Sequence, residues 1–283
     1  MKNIPAHLPA VPFFLKAENG ERFCLYHSPN PHLECLGAFI YIHPFAEEMN
    51  KSRRMIALQC RAMADLGYAV LQLDLFGCGD SSGDFADARW EIWIADLATA
   101  EKWLSDRITA PISLWGLRLG ALLALEFARR FSRKIHRVIL WQPIISTELF
   151  MTQFLRLRLA NEIFSDSKKK NSGTQLLRNE LASGKIIEIA GYEISPALVS
   201  SIDTINIANL AVTQCPVHWF EIVPESRHSL TPAGESLANT WIQKGSDLSV
   251  HLVPCAPFWS TQEISVCSDL LTAMTRLFSQ SQP

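Results

Sequence analysis

The sequence lacks a run of the roughly 18 apolar residues that a membrane span needs, so no segment of it is expected to cross a bilayer. It also lacks any C-x-x-C spacing. Its seven cysteines, Cys24, Cys35, Cys60, Cys78, Cys215, Cys255 and Cys267, are odd in number. That pattern predicts neither a disulfide framework nor a zinc ribbon; a reducing compartment is the simpler expectation, with no metal and no cofactor. Charge of one sign is lacking too. The formal net charge is −2 at pH 7, which leaves no basic field to draw in nucleic acid. Residues 1–23 are interrupted by Pro5, Pro9 and Pro12 and carry no continuous apolar core, so they do not read as a signal peptide. A cytoplasmic protein is the expectation. Low complexity is confined to Lys168–Lys170, read as a solvated loop.

What is present is apolar and periodic. Of 283 residues 48% are hydrophobic and 19% charged, enough for one globular core with an inserted segment. "LGAFIYIHPF", "YAVLQLDLFG", "IHRVILWQPII", "CPVHWFEIV" and "DLSVHLVPC" are near-continuous apolar runs, as buried strands are. Between them lie helical stretches such as "NKSRRMIALQCRAMADLG" and "ARWEIWIADLATAEKWL", and the tail "EISVCSDLLTAMTRLF" reads as an amphipathic helix. Strands alternating with helices predict an α/β fold, a mostly parallel central sheet with helices on both faces. Residues 146–214 break the rhythm with the apolar, arginine-bearing "ELFMTQFLRLRLANEIF" and the polar "SDSKKKNSGT". The expected organisation is a core of residues 1–145 and 215–283 with a cap inserted at 146–214.

Three motifs stand in order. "YIHPFAEE" follows a buried strand; "DLFGCGDSSG" is a Gly/Ser/Asp loop; "SLWGLRLGALLALEFARR" reads as strand, tight glycine-flanked turn and helix. Together they resemble the α/β-hydrolase superfamily over nearly the whole chain. In that resemblance the first is the loop supplying an oxyanion-hole amide and the third is the nucleophile elbow G-x-S-x-G. Here the elbow centre is Arg118, between Gly116 and Gly120. A guanidinium is cationic at every accessible pH and cannot attack a carbonyl. The loop after the last strand, "VPCAPFWSTQE", has no histidine, and the acid position after the preceding strand offers Glu221 and Glu225 but no aspartate. Two triad members are therefore missing at their expected places. More narrowly, "WGLRLGA", "AGYEISPAL" and "PFW" are similar to the exosortase A system-associated hydrolase (type 2) family. That resemblance implies an accessory role beside bacterial exopolysaccharide and protein-sorting systems.

At an elbow Arg118 stands at the N-terminus of a helix, whose free N–H groups and positive dipole end add to its own charge. Two compatible readings follow. Either Arg118 pairs internally, with Glu47, Glu48, Asp80 or Glu221, or it holds an anionic ligand, together with Leu119, Pro44 and Phe45. His43 is read as structural, with a base role as the alternative. His228, beside Glu225, is the spare base; Cys78 and Cys255 are more simply buried apolar groups than nucleophiles. Ser81 and Ser82 are read as capping groups, Trp90, Trp93 and Trp103 as core, and the cap helix as a lid. Two functions stay open: a non-catalytic binder of an anionic small molecule or partner, and a noncanonical hydrolase or acyl-transfer enzyme acting on esters or thioesters. With no serine at the elbow, a fluorophosphonate probe is expected to leave the protein unlabelled. Stoichiometric labelling, lost on mutating one serine, would place the nucleophile elsewhere.

Overall fold

The computed structural model describes residues 8–131, 135–165 and 173–279, at 160–165 the backbone alone. The loop expected at Lys168–Lys170 lies outside the described residues. Strands β1 (Val11–Ala17) and β2 (Gly20–His27) open the chain as a hairpin. There follow β3 (Gly37–Ile42), α1 (Glu47–Asp65), β4 (Tyr68–Leu73), α2 (Trp90–Ser105), β5 (Ile112–Leu117), α3 (Leu119–Arg130) and β6 (Arg137–Trp141). Between β6 and the next sheet strand run α4 (Thr147–Ser165), α5 (Thr174–Ala182), the small hairpin β7 (Ile187–Ile189) and β8 (Tyr192–Ile194), and α6 (Pro196–Asp203). The chain returns with β9 (Val217–Val223), α7 (Pro232–Gln243), β10 (Leu248–Pro254) and α8 (Ser268–Ser279).

Eight strands form one sheet in the order β1-β2-β4-β3-β5-β6-β9-β10. From β4 to β10 all neighbours are parallel; β1 and β2 join antiparallel. Period-two alternation sorts each strand's side chains between two cores. Ala38, Ile40 and Ile42 of β3 face the layer of α2 and α3, where they meet Trp93, Leu97 and Leu123. Phe39 and Tyr41 face α1 and α8, where they meet Met55, Cys60, Met274 and Phe278. All six residues of β3 are buried, as are all six of β5, which explains their nearly unbroken apolar sequences.

The sharpest steric constraint is where α3 leaves β5. A Cβ on Gly120 would strike the carbonyl oxygens of Ile42 and His43, and one on Gly116 would reach the Cα of Ala121 at 2.6 Å. Both glycines are therefore needed for the close approach of helix and strands, not for an unusual φ.

The structure adds local elements and corrects two expectations, the start of the tail helix and the state of Cys255. The proline-bearing N-terminal stretch contains a strand, β1, at the sheet edge, where proline's missing N–H costs no ladder bond. The tail helix begins at Ser268; residues 261–267 form a turn in which the Thr261 hydroxyl donates to the Glu263 carbonyl at 2.7 Å. Cys255 and Cys267 are bonded to each other, so the cysteines are not all free, and Cys255 drops out as a nucleophile. Five others are free thiols. "GYEIS" gives β8 and then a capped start to α6: the Ser195 hydroxyl accepts from Leu198 N–H, with Pro196 in the first helical turn.

Gly120→Ala is expected to destabilise the fold by about 1–3 kcal/mol or more, because backbone carbonyls cannot step aside as a side chain can. Urea denaturation against Gly173→Ala, where an added Cβ meets nothing within 4 Å, checks this; equal midpoints would refute it.

Candidate functional site

The site lies above the C-terminal edge of the sheet, where the ends of β3, β5 and β6 come together. Three non-glycine residues there have positive φ: Ala46 (50°), Arg118 (55°) and Gln142 (45°). Such conformations cost of order 1–3 kcal/mol each and persist only where the surroundings impose them. For Arg118 the imposition is visible. Its N–H donates to the Trp141 carbonyl at 3.0 Å and its carbonyl accepts from Ala121 N–H at 3.1 Å, which binds the turn to β6 and α3. Gln142 is held the same way, by its N–H on Phe220 O at 2.8 Å and its side-chain oxygen accepting from Ile222 N–H at 2.6 Å.

With its backbone so fixed, the Arg118 side chain rises into a cavity of about 290 Å³. Its Nε donates to Glu48 Oε1 at 3.1 Å. The guanidinium carbon lies 5.3 Å from the Trp259 ring centroid and 5.9 Å from that of Phe150, within range of cation–π attraction. Phe45, Phe154 and Leu157 supply further apolar wall; Glu47, Lys51, Gln153 and Ser260 supply polar groups. Phe45 ties the wall together, with edge contacts to Phe150 at 5.7 Å and Phe154 at 5.1 Å.

Glu48 sits in the first turn of α1, where the helix dipole favours a carboxylate. Burial pushes its carboxyl above the usual range, and the Arg118 guanidinium pulls it part of the way back. Its Oε2 is buried without a hydrogen-bond partner. The pair is thus held at one point and not as a two-pronged fork.

Of the four acids offered as partners for Arg118, Glu48 is the one it meets. Glu47 lines the same cavity. Asp80 is exposed, and its N–H donates to Asp74 Oδ2 at 3.2 Å. Glu221 is buried and takes the Trp219 indole N–H at 2.8 Å; burial raises its carboxyl, opposed by hydrogen bonds from Trp219 and Gln142. Glu225 and His228 are exposed on the β9–α7 loop and do not line the cavity. His43 is buried with both ring nitrogens engaged: Nδ1 lies 2.7 Å from the Pro44 carbonyl, and Nε2 accepts from Leu75 N–H at 3.2 Å. Burial lowers its pKa. The imidazole is therefore neutral, donating through Nδ1, and serves as a brace between two loops. Pro44, Leu119 and the buried Cys78 lie with His43 and Phe45 around a void of about 10 Å³ beneath the main cavity. The Cys78 thiol is pushed well up by burial. Ser81 and Ser82 latch this loop to β2, accepting from Phe23 N–H and Glu21 N–H, each at 2.9 Å.

Sequence reasoning missed Phe150, Phe154 and Leu157 as one wall. Their i, i+4, i+7 spacing in "FMTQFLRL" was the available signal. It also missed Lys51, one turn along α1 from Glu47, and Trp259 with Ser260, which occupy the loop after β10 where a histidine was sought. Among the described residues no group of three or more His, Cys, Asp and Glu side chains could hold a metal ion, and no helix is long and apolar enough to cross a membrane.

A family model described as serine aminopeptidase, S33, matches residues 36–202. No curated protein matches the chain. Among solved structures, Est1E from Butyrivibrio proteoclasticus with ferulic acid bound is similar at 14% identity and TM-score 0.65, over 95% of this chain and 96% of that one. Proline iminopeptidase from Mycobacterium smegmatis is similar at 14% identity and TM-score 0.62, over 95% and 98%. XC6422 from Xanthomonas campestris, an α/β serine hydrolase without a lid, is similar at 14% identity and TM-score 0.56, over 97% and 96%. At these identities the likeness is one of fold.

Removing the guanidinium leaves Glu48 with less to stabilise its charge, so its folded-state pKa should climb further. An acid whose folded pKa exceeds its unfolded one contributes stability below the unfolded value, and that contribution is lost as pH rises through the folded one. Because the two side chains keep 16% and 20% exposure, Arg118→Ala is expected to cost about 1–3 kcal/mol at pH near 8. The cost should shrink toward pH near 5, as Glu48 is protonated. Urea denaturation at both pH values measures this; a penalty independent of pH would disconnect Arg118 from Glu48.

Proposed function

The chain belongs to the α/β-hydrolase family described as serine aminopeptidase, S33, and from that premise we propose that it is a binding member of the family, in which Arg118 replaces the nucleophile and holds an anionic small molecule or partner. The observation that carries this reading is the direction of Arg118. A strained turn between β5 and α3 aims its guanidinium into an aromatic-walled cavity, where Glu48 occupies it at one point only. Phe45 is the proposed flanking group in the cavity wall, backed by Pro44 and by Leu119, the first residue of α3, around the small void beneath, and residues 146–214 are the proposed cap. Support for the cap comes from α4, whose Phe150, Phe154 and Leu157 form one side of the cavity.

The triad is degenerate in this reading. Arginine stands at the elbow, Trp259 and Ser260 line the site from the loop after β10, and His43 has no free nitrogen for a proton. The neighbour Est1E, with ferulic acid bound, is a relative in fold whose ligand is an aromatic carboxylate. We further propose the accessory role in an exosortase or exopolysaccharide system that "WGLRLGA", "AGYEISPAL" and "PFW" imply, and a cytoplasmic setting. The five free thiols support that setting and the Cys255–Cys267 pair weighs against it.

Family membership itself favours a second reading, a noncanonical hydrolase or acyl-transfer enzyme that would use Arg118 as an electrophilic clamp. A screen with short acyl esters and thioesters decides between the two. Wild type, Arg118→Ala and Arg118→Ser are all expected to be inactive, since a serine restored at the elbow has no base to take its proton. Turnover by the wild type that is lost in Arg118→Ala would establish the enzyme. Turnover appearing only in Arg118→Ser would show that a usable base survives, His228 being the first to test.

A further inference from the structure

The cavity around Arg118 has two unlike ends. One carries charge, with Arg118 and Lys51 against Glu47 and Glu48; the other is apolar, formed by Phe45, Phe150, Phe154 and Leu157. We propose that its ligand is an amphipathic monocarboxylate, with its head on Arg118 and a medium-length apolar tail along the apolar wall. The inference rests on Arg118 being an anion site and adds what the anion is attached to.

Donor supply supports the head. Arg118 has five N–H donors; Nε serves Glu48, and among the described residues its terminal nitrogens have no hydrogen-bond partner. The ring faces of Trp259 and Phe150 keep the guanidinium in place without using those donors. A ligand carboxylate can therefore take the two terminal nitrogens side by side, the stronger arrangement. Glu48, held at a single point and with Oε2 unpaired, is the weaker competitor.

Charge limits the ligand to one negative unit. Two cations face two acids, so a phosphate dianion would meet repulsion from Glu47 and Glu48 that the single displaced pair does not offset. The walls disfavour a sugar-like ligand: among the described residues, beyond the charged end only Gln153, Ser260 and the Trp259 indole N–H are polar, and buried hydroxyls without partners are costly. Size sets the tail. At about 30 Å³ per small group, 290 Å³ admits about ten in all, the head included, which is the size of a medium-chain acid.

Isothermal titration of the full-length protein with decanoate, decanol, butyrate and inorganic phosphate tests this. Decanoate is expected to bind at least about tenfold tighter than decanol and than butyrate. Its advantage over decanol should vanish in Arg118→Met and grow several-fold in Glu48→Gln. Leu157→Trp, at a position 44% exposed and so tolerant of bulk, should weaken decanoate more than butyrate. Decanoate no tighter than butyrate, with both lost in Arg118→Met, would leave the anion site standing and overturn the tail. Phosphate tighter than either carboxylate would overturn the monocarboxylate. No binding by any anion would remove both the inference and the reading beneath it, and decanol equal to decanoate would leave an apolar cavity with no head-group site.

Discussion

Helix α3 is pressed so closely against the ends of β3 and β5 that the carbonyls of Ile42 and His43 leave no room for a Cβ on Gly120. That contact forces the single residue between strand and helix into a left-handed conformation, and from there its side chain can only rise above the sheet. Every feature of the site follows from this crowding. The same turn would present a serine as well as it presents Arg118; the fold supplies a position and a direction, and the residue supplies the chemistry.

Placing a cation there alters what the neighbouring loops must do. Glu48 answers the charge from the first turn of α1, in a place where the helix dipole already favours an acid. Trp259 answers it with a ring face, from the loop in which a hydrolase would carry its histidine. Glu221 bonds to the Trp219 indole and feels the Arg118 charge without bonding to it. His43 binds two loops through both nitrogens. In our reading the triad positions are replaced or engaged elsewhere, which leaves a site suited to holding charge against apolar surface. Binding rather than turnover is the function we infer from that distribution.

The α4 wall gives this chemistry its second half. A guanidinium on an open surface would be hydrated, and an anion would gain little by meeting it. Phe150, Phe154 and Leu157 exclude part of that water, and Phe45 couples the helix to the loop after β3 through edge-on ring contacts. The strained Ala46, Arg118 and Gln142 surround the same space, so the backbone energy stored at the sheet ends is spent where the cavity lies.

The sequence by itself determined the layers. Runs such as "GAFIYI" and "ISLWGL" are almost wholly apolar and buried at every position because both faces of a parallel sheet are covered. It also placed Arg118 in the turn, since the glycines at 116 and 120 bracket three residues with Arg118 at their centre. Periodicity could not reveal β1, an edge strand with a proline and no buried position, nor the Cys255–Cys267 bond, since spacing alone never fixes which cysteines meet. Tertiary structure alone decided which acid answers Arg118. Glu47, Glu48, Asp80 and Glu221 were equal candidates in one dimension. The rotation of α1 brings Glu48 to Nε, Asp80 is turned outward by its loop, and an indole closer in sequence holds Glu221. Residues 45, 118, 150 and 259 become one surface only because separate strand ends and a helix from the 146–214 segment converge there, and that convergence is a property of packing that no local pattern encodes.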